Sequence, residues 1–478
     1  GAVVMVLELT GARVLAPTLG NSLFVWTSII GIILGSLSLG YFLGGKVADK
    51  EASFEKFSNL LLSAAVLIGI MATSKNFFLD WINSNVSSIR LGSVLASILL
   101  FAPASIFLGM VSPYAVRLKI KNINSSGRTV GNLYALSTIG SIFGTFFAGF
   151  YLISVLANTE ILFTLAITMV ITSLIAFPKK LYIKIVILVL LSAYLWSIFA
   201  DKKSFAEAGQ IEINTPYNTV LIVDELYNNK PARMLKISTN HSSAMYLNSN
   251  ELVFRYTKFY DLARHFMPKM QSALILGGGA YSYPKHFLKA YPQASIDVVE
   301  IDPELTEIAK KYFKLYDDDR LNIYHEDGRT FLNRTENKYD VFFGDAFKSF
   351  YSLPYQLTTQ EAVQKTYDVL NPEGVAIVNI IASIEGDTGQ FLRAELKTFK
   401  SVFPQVYIFP VWTKDPNTIQ NITLVALKSE QKPSFENPDF EIQSYLNTLY
   451  TEEIPDDMPI ITDEFAPVDQ YIMKLLDQ

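Results

Sequence analysis

The sequence predicts two unlike parts: a multi-span α-helical membrane domain, then a doubly wound α/β domain with a small β unit at its N-terminal side. Up to about residue 200, apolar runs of roughly 17–25 residues dominate the chain, which is the length that crosses a bilayer. Beyond that point, short apolar strands alternate with polar helical segments, a pattern typical of a parallel sheet covered on both faces. We therefore divide the chain into a helical bundle (1–200), a linker with a β unit (201–260) and the α/β domain (261–478).

The composition argues against several kinds of function. The net charge is −5 and no basic stripe stands out, so a nucleic-acid partner is not expected. The chain has no cysteine, which excludes disulfides and thiolate metal sites. None of the 4 histidines stands at metal-ligand spacing from another. We expect no metal.

The apolar runs predict membrane spans. Small residues recur within them, and small residues let helix backbones approach closely in lipid. The seven predicted spans are about 1–17, 22–45, 57–73, 91–112, 130–151, 159–177 and 181–199. The recurring glycines of the second span are Gly31, Gly35, Gly40, Gly44 and Gly45.

Two ionisable residues, Glu8 and Arg13, lie within or at the end of the first span. A charge inside a membrane is costly unless it is paired, so such a pair is a candidate functional site. The alternative interpretation is that both residues lie near the interface and form structural pairs, including pairs with other helices.

In the second part, the strand predictions come from runs of apolar residues. Residues 211–224 and 233–247 alternate in polarity and predict the small antiparallel β unit. The strands predicted for the main sheet are 273–279, 296–302, 321–327, 339–345 and 375–382, with helices between them and at 360–370 and 387–402.

A glycine run and two carboxylates follow the first two of these strands. Gly277, Gly278 and Gly279 end the first strand and would let a ligand press against the backbone. Glu300 ends the second strand, about 21 residues further on, a position that suits hydrogen bonds from ribose hydroxyls. Asp302 follows on the same side.

Two further acidic positions continue the series. Asp327 and Gly328 end the third strand and could contact an adenine amino group, while Asp345 ends the fourth strand, closest to a reacting carbon. A glycine triplet alone is also compatible with a simple tight turn, but polar residues at successive strand ends indicate one ligand site. GGGAYSY lacks the third glycine of a dinucleotide fingerprint, and no ATPase phosphate loop occurs.

The stretch ALILGGGAYSYPKHFLKAYPQASIDVVEIDPELTEIAKKYF, together with HEDGRTFL and YDVFFGD, resembles the spermidine synthase family. The apolar N-terminal half resembles the membrane-fused branch of that family, and PYQLTT (354–359) and TDEFAPVD (462–469) extend the similarity. The resemblance implies a Rossmann-like fold of the S-adenosylmethionine-dependent methyltransferase type. It also implies transfer of aminopropyl groups from decarboxylated S-adenosylmethionine.

The resemblance assigns roles to residues of this chain. It implies that the glycine run, Glu300, Asp327 and Asp345 hold the thionucleoside, and that Asp345 helps to take a proton from the attacking amine. Tyr256 matches a tyrosine near the active-site entrance. With Ser242, Tyr281, Phe347, Tyr355 and Gln356 it forms the expected substrate pocket.

The chain also departs from the family pattern. Ala280, Tyr281 and Ser282 follow the glycines where the family has an acidic residue and a glycine pair, and Ser242 stands in place of a glutamine. Lys348 replaces the second acid of the gate loop. A diamine needs carboxylates at both ends because buried cations must be paired, so transfer to putrescine is doubtful.

Several reactions stay open for a bound S-adenosylmethionine or its decarboxylated form. The alternatives are alkylation of an amine acceptor, transfer of a methyl group, and attack by the substrate's own carboxylate, as in a lyase, which releases methylthioadenosine and a lactone. Aromatic side chains at Tyr281, Tyr283, Phe347, Tyr351 and Tyr355 could favour the sulfonium by cation–π contact, although core packing or a lid explains them equally. A non-catalytic transporter or sensor and a degenerate structural domain are the alternatives from other classes.

The expected location is the cell (inner) membrane, with many spans in the lipid bilayer. Positive charge gathers in alternate connections, around Lys50, Arg117 and Lys184, and predicts that these connections are cytoplasmic. Counting from them places the α/β domain outside, whereas a cytosolic substrate requires it inside; we favour the cytoplasm. A homo-oligomer is left open.

Overall fold

The computed structural model describes residues 1–20, 22–86, 88–120, 126–179, 181–207, 210–237, 240–346 and 354–476. It contains two compact units, Gly1–Thr219 and Val220–Gln478, and each is described by itself. The finer three-part division at residues 200 and 260 stays a prediction.

The first unit is built from apolar helices. By length and composition, seven helical stretches in the described ranges are able to cross a membrane. A π-helical turn, Ala148–Leu152, joins α5 to α6, and the stretch Ser126–Val155 is one of the seven. The helices are α1 (Ala2–Leu19), α2 (Leu23–Lys50), α3 (Phe54–Asn85), α4 (Ile89–Lys119), α5 (Ser126–Phe147), α6 (Ile153–Val155), α7 (Asn158–Ala176) and α8 (Leu181–Glu207).

Glycines set the close contact between α2 and α4. A Cβ at Gly40 would lie 2.2 Å from the carbonyl oxygen of Ile106, and one at Gly44 would lie 2.6 Å from the Cα of Met110. These two positions therefore act as the sequence predicts, since a side chain would push the backbones apart. The other glycines of this helix, Gly31, Gly35 and Gly45, have nothing within 4 Å of that position.

Short antiparallel strands follow the helices. They are β1 (Gln210–Asn214), β2 (Thr219–Tyr227), β3 (Lys230–Ile237) and β4 (Asn240–Tyr246). β2 and β3 form a hairpin whose two turn residues, Asn228 and Asn229, have φ angles of 49° and 60°. Positive φ at both positions is the geometry of a type I′ turn, which asparagine tolerates well.

The second unit contains a seven-stranded sheet with the order β10-β11-β9-β8-β5-β6-β7. Its strands are β5 (Ser272–Leu276), β6 (Ser295–Val299), β7 (Leu321–Tyr324), β8 (Tyr339–Gly344), β9 (Leu370–Ala382), β10 (Gln405–Pro410) and β11 (Gln420–Leu427). The strands from β9 to β7 are parallel, and β11 and β10 are antiparallel additions at one edge. The predicted doubly wound fold is confirmed, with the strand order reversing between β5 and β8.

Helices cover both faces of this sheet. Successive residues of β5 enter different cores: Ala273 and Ile275 pack in one, Leu274 and Leu276 in the other. A strand buried on both faces reads as a continuous apolar run, and such a run predicted this strand from the sequence. The helices are α9 (Arg255–Lys258), α10 (Ala263–Phe266), α11 (Ser282–Ala290), α12 (Pro303–Tyr312), α13 (Gly328–Arg334), α14 (Gln360–Val369), α15 (Gln390–Lys400), α16 (Phe440–Leu446) and α17 (Val468–Leu476).

Glu395 on α15 is a buried acid whose effect on stability can be measured. The side chain is 0% exposed, and neither carboxyl oxygen has a hydrogen-bond partner in the described part of the chain. Burial raises the pKa of Glu395 well above its usual 4.5. The folded protein thus retains a proton that the unfolded chain releases above about pH 4.5, so stability falls as the pH rises from there toward the folded pKa.

We expect Glu395→Gln to remove this pH dependence. At pH 8 the variant should melt at a higher temperature than the parent, by about 2–4 °C for each kcal/mol gained in the free energy of unfolding. This difference in melting temperature should become smaller toward pH 5. Thermal melts from pH 5 to 8 measure it. Glu373→Gln, at an exposed glutamate, is the control and should show no such trend. A gap that does not change with pH would contradict the argument.

Candidate functional site

A cavity of about 190 Å³ lies at the carboxyl ends of β5 and β8. These strands are neighbours, with Leu276 paired to Gly344, and the backbone N–H of Asp345 donates to the carbonyl of Leu276 at 3.0 Å. The residues that follow the two strands therefore meet. The described residues that line the cavity are Tyr227, His241, Ser242, Ser243, Phe254, Arg255, Tyr256, Gly277, Gly278, Gly279, Asp345, Asn379, Ile381, Trp412 and Asn421.

The turn after β5 requires glycine. Gly277 has a φ of +98°, and a Cβ there would lie 2.6 Å from the carbonyl oxygen of Asp345. Gly279 has a φ of +53°, and a Cβ would lie 2.5 Å from the Ser243 hydroxyl. Both the backbone conformation and the space exclude side chains, so the turn presents bare backbone to the cavity.

Glu300 holds this turn in place. The side chain is buried, and one carboxylate oxygen accepts from the backbone N–H groups of Gly278 (2.9 Å) and Gly279 (3.0 Å). The other oxygen accepts from the N–H of Asp302 at 3.1 Å. A carboxylate has further lone pairs, so the predicted contact with a ribose is compatible with these bonds and stays a prediction.

Asp302 and Asp327 both cap helices. The Asp302 side chain accepts from the N–H of Glu304 at the start of α12. The Asp327 side chain accepts from the N–H of Thr330 at 3.0 Å, and its second oxygen accepts from the Gln356 amide at 3.3 Å. The structure thus brings the predicted Asp327 and Gln356 together. A Cβ on the neighbouring Gly328 would lie 3.2 Å from Leu276, so the helix start packs tightly against the end of β5.

Arg329 contacts both the PYQLTT and the TDEFAPVD segments. The sequence analysis did not predict this role. Its guanidinium donates to the Gln356 carbonyl at 2.9 Å and to the Thr359 hydroxyl at 3.0 Å, and it pairs with Asp463 at 2.7 Å. PYQLTT and TDEFAPVD are therefore tied to the same side chain. The arginine stands in HEDGRTFL, but nothing in that stretch indicates its partners.

Two tyrosines flank Asp345. Burial, followed by the charge of Asp345 and a hydrogen bond to it, raises the pKa of Tyr256 well above 10. Burial and then the same charge raise the pKa of Tyr260. Burial and the nearby negative charge thus both oppose ionisation of these two hydroxyls, which are neutral at neutral pH. Tyr260 was not predicted; it stands four residues after Tyr256, one helical turn away.

The predicted substrate pocket is brought together in part. Ser242 and Tyr256 line the cavity. Tyr281 is completely buried, and its hydroxyl is 2.6 Å from that of Thr306, so the ring packs under the glycine turn. Tyr355 is 54% exposed on a short 3₁₀ helix. Phe347, like Tyr351 and Lys348, lies outside the described residues.

Four further lining residues were not predicted to belong to the site. Asn379 on β9 and Asn421 on β11 are joined by a hydrogen bond of 3.0 Å. The guanidinium of Arg255 lies 4.9 Å above the ring of Trp412. Such polar and aromatic residues carry no local pattern, because only the pairing of distant segments makes them neighbours.

In the first unit, Arg13 finds partners other than Glu8. Its guanidinium donates to the carbonyl of Ile153 at 2.8 Å and to that of Thr215 at 3.1 Å. Asn158 donates in turn to the Arg13 carbonyl at 3.0 Å. Glu8 is half-buried. The two predicted ionisable residues are not an ion pair among the described residues, and their functional role stays a prediction.

No three histidine or acidic side chains within the described ranges are grouped so as to hold a metal ion. The expectation of a metal-free site stays a prediction. What the geometry does define is a class of domain: a doubly wound sheet with glycines and a carboxylate at the point where the strand order reverses.

Comparison with known proteins shows which domains of this class the chain is similar to. Residues 256–437 match the family model described as spermine/spermidine synthase domain. The polyamine aminopropyltransferase of Vibrio vulnificus is 28% identical over 229 residues, 45% of this chain and 75% of that protein. The eEF1A lysine and N-terminal methyltransferase of Bos taurus is 30% identical over 145 residues, 28% of this chain and 20% of that protein. The crystal structure of a probable spermidine synthase from Corynebacterium glutamicum ATCC 13032 is similar with a TM-score of 0.43 and 22% identity, covering 51% of this chain and 88% of that one.

The C-terminal part of this chain contains a spermidine synthase domain, as the sequence predicts. It follows a region of long apolar helices.

Proposed function

We propose that the C-terminal unit is a transferase of the spermidine synthase type. It binds S-adenosylmethionine or its decarboxylated form, and it releases methylthioadenosine when an acceptor amine attacks. One observation carries the proposal: the glycine turn after β5 and Asp345 after β8 line a single cavity within the matched domain. Relatives named polyamine aminopropyltransferases support it.

The sulfonium makes the carbon next to sulfur reactive, and the protein holds the amine in the position to attack it. Holding an amine in line with the carbon next to sulfur makes the attack effectively unimolecular. A nitrogen–carbon bond forms, the sulfur–carbon bond breaks, and the electron pair of that bond leaves on methylthioadenosine. Asp345 accepts the proton of the attacking amine.

Tyr256, which is hydrogen-bonded to Asp345, orients this base. Its hydroxyl is protonated at neutral pH, so it acts as a hydrogen-bond donor to the carboxylate. Tyr227 and Phe254 add aromatic surface to the cavity, which suits a sulfonium through cation–π attraction.

The experiment is product identification with the purified full chain. Incubation with either nucleoside, with and without a range of amines, should yield methylthioadenosine, read by mass spectrometry. S-adenosylhomocysteine would instead favour a methyltransferase, and methylthioadenosine without any amine would favour the lyase reaction. Binding without any turnover would overturn the proposal in favour of a sensor or transporter.

We further propose that the apolar helices cross the cell (inner) membrane and that the C-terminal unit faces the cytoplasm. The length and composition of seven helices support the first point, and the cytosolic origin of the substrate supports the second. Because the chain has no cysteine, a single Lys432→Cys label reports the side directly. We expect an impermeant maleimide to label it only after lysis; labelling in intact spheroplasts would place the unit outside.

A further inference from the structure

The charges around the cavity do not suit a substrate with cationic groups at both ends. Among the described lining residues Asp345 is the one carboxylate, and the basic side chains are His241 and Arg255. His241 is engaged, since its ring nitrogen lies 3.0 Å from a carboxylate oxygen of Glu225. Arg255 is an exposed residue at the cavity, and it forms no ion pair with any described carboxylate.

Trp412 holds the Arg255 guanidinium in a defined place. The guanidinium carbon lies 4.9 Å from the ring centroid, which is the arrangement of a cation–π contact. An arginine held over an aromatic ring keeps its planar fork of N–H donors free, and that fork matches the two oxygens of a carboxylate. A second cationic group at this position would be repelled.

We propose that Arg255 binds a carboxylate of the substrate, so that this site takes S-adenosylmethionine itself in preference to its decarboxylated form. This inference rests on the function proposed above and specifies its substrate. The methionine end of S-adenosylmethionine carries a carboxylate and an ammonium group, so its net charge suits a cavity with one arginine and one aspartate. The decarboxylated form has only the ammonium group and would leave Arg255 unpaired.

The group transferred is then a 3-amino-3-carboxypropyl group. The acceptor amine forms a bond to the γ-carbon of the methionine chain, and the bond from that carbon to sulfur breaks. Its electron pair stays on sulfur in methylthioadenosine, and the amine proton passes to Asp345. The product carries one carboxyl group more than a polyamine made from the decarboxylated substrate.

Calorimetry on the full chain with both nucleosides tests this. We expect the parent to bind S-adenosylmethionine about tenfold more tightly than the decarboxylated form. A factor of this size corresponds to the one charge-assisted pair between Arg255 and the substrate carboxylate. Arg255→Met keeps an apolar stem against Trp412 but removes the charge. It should weaken binding of S-adenosylmethionine about tenfold and leave the decarboxylated form unchanged. Arg255→Lys should restore part of the preference.

Lys414→Met is the matched control, since Lys414 is an exposed cation two residues from Trp412; it should change neither affinity. Equal losses for both nucleosides in Arg255→Met would overturn the inference. Tighter binding of the decarboxylated form by the parent would also overturn the inference. If methylthioadenosine were still released in that case, the proposed function would stand. Failure of both nucleosides to bind would overturn the two proposals together.

Discussion

Replacing Asp345 by asparagine is expected to lower the rate of methylthioadenosine release by about 10²- to 10⁴-fold, the usual contribution of a general base. Asparagine has the same shape and still accepts a hydrogen bond, but it cannot take the proton of an attacking amine. The cavity keeps its form, because the backbone N–H of residue 345 still donates to the Leu276 carbonyl. Binding of the nucleoside should therefore change far less than turnover.

Initial rates and calorimetric affinities measured on the same preparation separate these two effects. Asp317→Asn removes an exposed carboxylate outside the cavity and should leave the rate at the parental level. Unchanged turnover in Asp345→Asn would remove this residue from the chemistry. A parallel loss of binding and rate would assign it to substrate binding instead.

Gly277→Ala is expected to damage both stability and binding. The φ of +98° is unfavourable for alanine, and the added Cβ would lie 2.6 Å from the Asp345 carbonyl oxygen. Relieving that contact must move the ends of β5 and β8 apart, at the position where both line the cavity. We expect a loss of nucleoside affinity of more than about tenfold, in addition to roughly 1–2 kcal/mol of backbone strain.

Gly386→Ala is the matched control. Gly386 also has a positive φ, of +68°, but nothing lies within 4 Å of its Cβ position. This variant has the backbone strain without the collision, so it should melt earlier than the parent and bind the nucleoside normally. If Gly277→Ala binds as well as Gly386→Ala, the close approach of the two strand ends does not matter for the ligand.

Most of the architecture could be predicted from the amino-acid sequence. Apolar runs long enough to span a bilayer depend only on local composition, and the structure forms long helices from them. The alternation of strands and helices predicted the doubly wound sheet. Because the carboxyl ends of parallel strands meet at one edge, the glycine run and Asp345 could also be expected to lie together, and both line one cavity.

The residues around the glycine run and Asp345 could not be predicted, because they come from distant parts of the chain. Asn379 and Asn421 are 42 residues apart and meet only through the antiparallel pairing of β9 and β11. Tyr281, expected in the substrate pocket, is buried under the glycine turn, while Arg255 and Trp412, which no motif marked, line the cavity. The physical reason is that a local pattern specifies which face of an element is apolar. The neighbours of a polar side chain depend on how distant elements pack.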